Sequence, residues 1–308
     1  MDVLKAIVPA AGLGTSFLPY TKAVPKELLP LLDKPALHYI AEEAAAAGVK
    51  DLLLITGQQK WAISNYFDSD RLAEAELLYA GSKVSPLAGL KRLVAQLQFS
   101  YVQQATPRGL GDAVWTARNL IGKEYFGVLL PDDIIVSPTP GLLQLLKIAR
   151  QEKASVLAVQ EVPRELLGQY GVIEVRKQLT PSLFQVGNLI EKPEPKQAPS
   201  NLAIIGRYIL TPKLFPILDE LQAQSDGGEL QLTPALAQLV RSGEKLLAYK
   251  VSGLRYDLGT PLGWIKAIIG MASQDPRYAQ PVREFIATLD SVDSFVYNQQ
   301  RILAQQQP

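Results

Sequence analysis

The chain has 308 residues, 31 lysines and arginines against 30 aspartates and glutamates, no cysteine and one histidine. Near-neutral charge argues against bulk attraction to nucleic acid or to a membrane surface, and the missing cysteines exclude disulfides and thiolate metal sites. The lone His38 sets aside a histidine zinc site and a serine–histidine–aspartate triad.

An apolar run predicts a strand over 4–8, which leads into Ala10-Ala11-Gly12-Leu13-Gly14-Thr15. Lys22, Lys26 and Lys34 follow among Pro19, Pro25, Pro30 and Pro35. A strand ending in a glycine turn exposes backbone N–H groups to an anion, and nearby lysines supply the cations a polyphosphate needs. The dinucleotide pattern G-x-G-x-x-G does not fit, because no third glycine appears and Pro19 follows. The P-loop pattern G-x-x-x-x-G-K-[ST] is absent as well. Four prolines forbid one uninterrupted helix here, so a long, cationic, largely irregular loop is expected.

Beyond the loop, helical patterns cover 36–47, 61–67, 112–120 and 142–152, and apolar runs predict strands over 52–56, 99–103 and 126–130. His38 falls in the first of these helices and is expected to pack or to face solvent. This alternation argues for an α/β fold with a parallel sheet covered on both faces. Ligands in such sheets bind beyond the carboxyl ends of the strands, where the glycine loop and Pro131-Asp132-Asp133 both fall. After 154 the pattern changes: strands over 156–159, 171–175, 184–190 and 203–210 suggest an antiparallel or mixed extension. Helices over 213–221 and 230–241, a strand over 247–251 and a helix after Gly263 complete the pattern. From 281 the chain reads as helical and ends in the polar run 305–307 before Pro308. No run approaches membrane-spanning length and no signal-peptide order opens the chain, so a cytoplasmic protein is expected.

Several single residues carry chemistry. Asp132 closes an apolar strand and Asp257 ends a short extended segment; carboxylates are hard ligands suited to Mg²⁺. Asp133 reads as a turn-stabilising residue. Gln104 is a polar strand end, placed before a turn that contains Gly109. Glu191 and Lys192 alternate on an extended segment and leave opposite faces unless the strand breaks, as Pro193 allows.

The stretch from Gly12 to Pro35 resembles the sugar-1-phosphate nucleotidyltransferases, and within them the bacterial UTP–glucose-1-phosphate uridylyltransferases. Further matches are Gln104 with Gly109-Leu110-Gly111, Leu130-Pro131-Asp132-Asp133, Tyr170-Gly171-Val172-Ile173 and Ile190-Glu191-Lys192-Pro193. Gly206-Arg207-Tyr208, Gly228-Glu229-Leu230-Gln231-Leu232-Thr233 and Tyr256-Asp257-Leu258-Gly259 continue the resemblance. It implies a Rossmann-like nucleotidyltransferase fold with a mixed, mostly parallel central sheet. A catalytic domain over 1–275 and a C-terminal helical extension over 276–308 would follow. The implied reaction forms UDP-glucose and pyrophosphate from UTP and glucose 1-phosphate. Ala10, Ala11, Gly12, Gly14, Gln104 and Gly109 would then bind the nucleotide, with Lys26 on its phosphates. Gly171, Glu191 and Lys192 would hold the sugar phosphate, Asp132 and Asp257 would hold Mg²⁺, and the protein would be a homodimer or homotetramer. Neither nucleic acid nor membrane is an expected partner.

Three positions depart from the family pattern. Ser16 replaces an arginine, Pro261 a lysine and Asp112 a histidine. Ser16 and Pro261 leave open a regulatory paralogue that binds nucleotide sugar with little turnover. The Gly259-Thr260 wording leaves open a thymidylyltransferase-like enzyme.

Overall fold

The computed structural model describes residues 3–58, 60–78 and 87–289. The opening apolar run forms β1 (Lys5–Ala10), whose alternate side chains enter two separate cores. Ala6, Val8 and Ala10 pack into one and Ile7 into the other, as the two-residue period of a strand requires. The loop after β1 holds only three short 3-10 turns, Thr15–Phe17, Tyr20–Lys22 and Lys26–Leu28, so it is as irregular as its prolines dictate.

In chain order there follow β2 (Pro30–Leu31), β3 (Lys34–Pro35), α1 (Ala36–Ala46), β4 (Asp51–Thr56), α2 (Trp61–Tyr66), α3 (Ser69–Leu78), α4 (Ala88–Gln96) and β5 (Gln98–Gln103). Next come α5 (Leu110–Thr116), α6 (Arg118–Ile121), β6 (Phe126–Leu129), β7 (Asp133–Val136), α7 (Gly141–Glu152), β8 (Ser155–Glu161), β9 (Gly171–Thr180) and β10 (Leu183–Glu191). The last are β11 (Leu202–Leu210), α8 (Leu214–Gln224), α9 (Leu232–Arg241), β12 (Leu246–Lys250), β13 (Leu254–Asp257) and α10 (Pro261–Ala272). Residues 279–289 are also helical, and the polar run 305–307 lies outside the described residues. Among the described residues, no helix is long and apolar enough to cross a membrane.

The main sheet runs β5-β4-β1-β6-β11-β8-β12-β10-β9. Its first four strands are parallel, as expected, and β8 is parallel to β12. The pairs β6–β11, β11–β8, β12–β10 and β10–β9 are antiparallel, so the sheet is mixed without the parallel majority expected. The cause is local. Only Pro181 and Ser182 join β9 to β10, and so short a link can only reverse the chain. A further antiparallel bridge, Ala203 to Val172, joins β11 back to β9 and bends this half of the sheet into a closed ring.

Helices cover both faces. Leu37, Ile40, Leu142 and Leu145 of α1 and α7 pack into one core, and Val114, Leu214, Leu218 and Leu236 of α5, α8 and α9 into the other. The helix expected over 112–120 divides at Ala117 into α5 and α6. The helix expected after Gly263 begins two residues earlier, at Pro261. Thr260 Oγ1 caps it by accepting from the Gly263 N–H at 3.1 Å, and proline at the first helical position loses no hydrogen bond.

Strands β7 and β13 form a separate antiparallel pair that sets Asp257 opposite Asp133. Sequence periodicity does not reveal β7, because Pro131 and two aspartates interrupt the apolar run.

Candidate active site

Because β1, β4 and β6 run parallel, their carboxyl ends open on one edge of the sheet. Ala11, Gly12, Lys26, Gln104, Gly109 and Asp132 converge there on a cavity of about 440 Å³. A second cavity adjoins it, lined by Gly171, Glu191, Arg255 and Asp257, and Asp132 lines this one too. The residues assigned by resemblance to nucleotide and to sugar phosphate thus meet at a single carboxylate.

Two expected residues stand outside the cavity linings, and a third can contribute only its backbone. Ala10 is fully buried in the core beneath the cavity, so only its backbone can border a ligand. Gly14 (φ +65°) stands behind the lining, packed against Thr21 and the Lys26 side chain. Lys192 is exposed, with φ +44°, and does not line the second cavity. This left-handed residue is the break in the strand that lets Glu191 face the cavity while Lys192 turns away.

Two glycines are demanded by close approach. A Cβ at Gly109 (φ +100°) would stand 2.7 Å from the Leu230 carbonyl oxygen, which presses the start of α5 against the segment before α9. A Cβ at Gly171 would stand 2.8 Å from Thr233 Oγ1 and 3.2 Å from Glu191 Oε2, inside the second cavity.

The charges form a chain of ion pairs. Lys26 Nζ donates to Asp132 Oδ2 at 2.7 Å. Burial would raise the Asp132 carboxyl, but the Lys26 ammonium and the Arg255 guanidinium outweigh it and hold it below its ordinary value. Burial would likewise lower Lys26, yet Asp132, Glu27 and Asp257 hold it above its usual range. Both therefore stay charged at neutral pH.

Glu27, only 2% exposed, takes Lys60 Nζ on both oxygens at 2.9 and 2.8 Å. Asp133 accepts from Arg255 Nε at 2.5 Å and from the Gly206 N–H at 2.8 Å, so it ties β11 to β13 rather than merely stabilising a turn. Asp257 accepts from Arg255 Nη2 and from the Tyr170 hydroxyl, both at 3.0 Å, and from the Gly259 N–H at 2.9 Å.

Below this layer lies Arg207, with no exposed surface. It donates to both oxygens of Glu43 at 2.8 Å and to the carbonyls of Leu130, Gly206 and Asp133 at 3.2, 2.8 and 2.7 Å. Two of those carbonyls flank Pro131-Asp132, so the guanidinium fixes the turn that presents the shared carboxylate.

Beside the first cavity, Gln104 is 4% and Asp112 3% exposed. Gln104 Nε2 donates to Asp112 Oδ2 at 2.5 Å, and Arg108 Nη2 donates to Asp112 Oδ1 at 2.9 Å. His38 is buried in the core, bonded to the Tyr66 hydroxyl at 2.9 Å and to Glu42 at 3.1 Å, well away from this edge.

Glu27, Lys60, Arg108, Asp112 and Arg255 escaped assignment from sequence. Their pairings join distant segments or, for Arg108 and Asp112, read as an ordinary helical i, i+4 pair. Arg207 and Tyr170 lie within recognised motifs, and burial alone separates their roles from those of their neighbours.

A glycine loop and strand-end carboxylate at the carboxyl edge of an α/β sheet, with a cationic and a sugar-sized recess on either side, define a nucleotide-transferring class of protein. Residues 5–274 match the nucleotidyl transferase family, and the chain belongs to it. It falls within the UTP–glucose-1-phosphate uridylyltransferase branch. The UTP–glucose-1-phosphate uridylyltransferase of Bacillus subtilis is 45% identical over 289 residues, covering 93% of this chain and 97% of that one. Its counterpart in Staphylococcus epidermidis is 44% identical over 288 residues, covering 94% and 99%. Among solved structures, a UDP-glucose pyrophosphorylase complexed with UDP-glucose superposes with a TM-score of 0.79 at 36% identity, covering 89% of this chain and all of that one. A UTP-bound UGPase from Acinetobacter baumannii superposes with a TM-score of 0.83 at 32% identity, covering 93% and 99%.

Proposed function

We propose that the chain is an Mg²⁺-dependent uridylyltransferase that forms UDP-glucose and pyrophosphate from UTP and glucose 1-phosphate. The observation that carries this reading is the meeting of two cavities at Asp132, with Lys26 bonded to it at 2.7 Å. Attack by a sugar-phosphate oxygen on the UTP α-phosphorus needs two anions brought together and the growing charge neutralised, without a covalent nucleophile. Ala11, Gly12 and the backbone of Ala10 border the nucleoside, Gln104 and Gly109 meet the base, and Lys26 meets the phosphates. Gly171 and Glu191 receive the glucose, and Lys192, turned away from this cavity, would meet the sugar phosphate only by swinging inward.

The donor set fits the metal. The Asp132 and Asp257 side chains are 32% and 41% exposed, whereas Asp133 is 7% exposed. Mg²⁺ favours one or two carboxylates, with waters and substrate phosphates completing its shell. When bound, it neutralises phosphate charge and holds the two substrates in line. Asp132 and Asp257 supply the oxygens, Lys26 orients Asp132, and Tyr170 and Arg255 orient Asp257. The reaction consumes UTP, which agrees with a cytoplasmic setting. Leu262, Ile265 and Ile269 on α10, with Phe285 and Leu289 beyond it, expose an apolar stripe that suits a homo-oligomer contact.

Ser16 supports a second reading, a nucleotide-sugar binder with weak turnover. It lies exposed in the 3-10 turn beside Thr15, which lines the nucleotide cavity, and a hydroxyl cannot replace the bidentate phosphate contacts of a guanidinium. Lys22 stands nearby in a recess shared with Lys26 and can supply part of the missing charge. Ser16→Arg should raise kcat/KM for UTP, by as much as about 10²-fold. Pyrophosphate release with each nucleoside triphosphate measures this. No release from any pair, despite measurable UDP-glucose binding, would favour the binder, and release with dTTP alone would favour the thymidylyl alternative.

A further inference from the structure

The pair Gln104–Asp112 is buried, sits against the nucleotide cavity, and includes one of the three residues that depart from the family pattern. Gln104 follows β5, its backbone N–H bonded to the Thr56 carbonyl at 2.9 Å, and it lines both the nucleotide cavity and the recess beside it. Asp112 lies in the first turn of α5, where its own N–H donates to the Leu230 carbonyl at 3.2 Å. Neither side chain can move far. The Arg108 guanidinium donates to Asp112 Oδ1 at 2.9 Å and holds that carboxylate in place.

An ionised carboxylate accepts hydrogen bonds and cannot donate one. Gln104 must therefore turn its amide nitrogen toward Asp112. One N–H is spent there, and Oε1 with the second N–H is left for a ligand, in an order the side chain cannot reverse. A histidine or an amide at position 112 imposes no such order, since either group can both donate and accept.

We propose that Asp112 is a positioning residue for base selectivity, fixing the Gln104 amide so that Oε1 receives the N3–H of uracil. This rests on the reading that Gln104 meets the base. Uracil presents a donor at N3 between two carbonyl acceptors, so a pinned Oε1 takes the N3–H and the free amide N–H gives to a carbonyl. Cytosine carries an acceptor at N3 and would face Oε1 with its lone pair. Thymine has the same hydrogen-bonding edge as uracil, so this device rejects CTP and is blind to dTTP. That contrast separates positioning from a general structural role.

The experiment compares kcat/KM for UTP, CTP and dTTP in the full-length wild-type enzyme, Asp112→Asn and Gln104→Ala. In Asp112→Asn the new amide can donate, Gln104 is free to reverse, and the UTP:CTP ratio should fall about tenfold or more. The UTP:dTTP ratio should stay within about twofold, because both bases show the same edge. Asp112→Ser, whose hydroxyl gives or takes, serves equally if the asparagine variant does not fold. An unchanged UTP:CTP ratio in the Asp112 variant, or both ratios shifting together, overturns the proposal. If Gln104→Ala alters neither ratio, the base contact itself is wrong, which is a distinct failure.

Discussion

Asp132→Asn should lower turnover by about 10²–10³-fold while the protein remains folded. Asparagine keeps the shape of the side chain and can still accept from Lys26, so the turn after β6 persists. The charge does not persist. Asp132 is the one carboxylate lining both cavities, and its carboxyl is held ionised at 2.7 Å from Lys26. Its neutralisation takes the charge from the proposed metal ligand and weakens the pairing that orients Lys26. The deficit should lie in kcat and in the Mg²⁺ concentration needed for half-maximal rate, more than in binding of UDP-glucose. Pyrophosphate release across an Mg²⁺ titration measures both. A variant that keeps more than about one-tenth of wild-type turnover, with the same Mg²⁺ dependence, would remove Asp132 from the metal.

Arg207→Met should cost about 3–5 kcal/mol of stability, read from the urea midpoint. The loss arises from what remains: Glu43, its side chain 9% exposed, is left without its cation, and the Leu130, Gly206 and Asp133 carbonyls lose the guanidinium donor. Adding Glu43→Leu should recover much of the loss, because two apolar groups in place of a buried pair are often tolerated. The double variant should still be catalytically poor, since the carbonyls around Pro131-Asp132 no longer share one guanidinium. A midpoint shift worth less than about 1 kcal/mol in Arg207→Met would sink this account.

The parallel half of the sheet was legible because its strands are continuous apolar runs separated by helical periods. Its neighbours were harder to read. β7 was invisible because Pro131 and two aspartates break the apolar pattern at the point where function needs them. Of the antiparallel pairs in the second half, β9–β10 follows from a two-residue turn at Pro181 and Ser182, which periodicity within a strand does not report. For the site, resemblance located the residues that line the cavities, including Gln104, Lys26, Asp132, Gly171 and Glu191. It did not supply the groups that hold them. Lys60 opposite Glu27, and Arg255 between Asp133 and Asp257, are separated in sequence by up to 122 residues and are paired only by the fold. Asp112 was noticed as a departure, but its bond to Gln104 is a fact of three dimensions.

The bridge from Ala203 to Val172 divides the two cavities by how readily their backbones open. Gly171 at the start of β9 faces Glu191 at the end of β10, and Val172 is flanked by Ile190 and Ala203. Separating Gly171 from Glu191 therefore means breaking a closed ring of strands. The glycine loop has no such closure and is held by short turns and the Thr21 hydroxyl on the Gly14 carbonyl at 2.8 Å. In deuterium exchange, amides at 172 and 173 should be released only near global unfolding, and those of residues 15–24 by local opening. The sugar side would then present a standing template, while the nucleotide side is drawn shut by the triphosphate, and UTP should slow exchange in the loop without changing it at Val172.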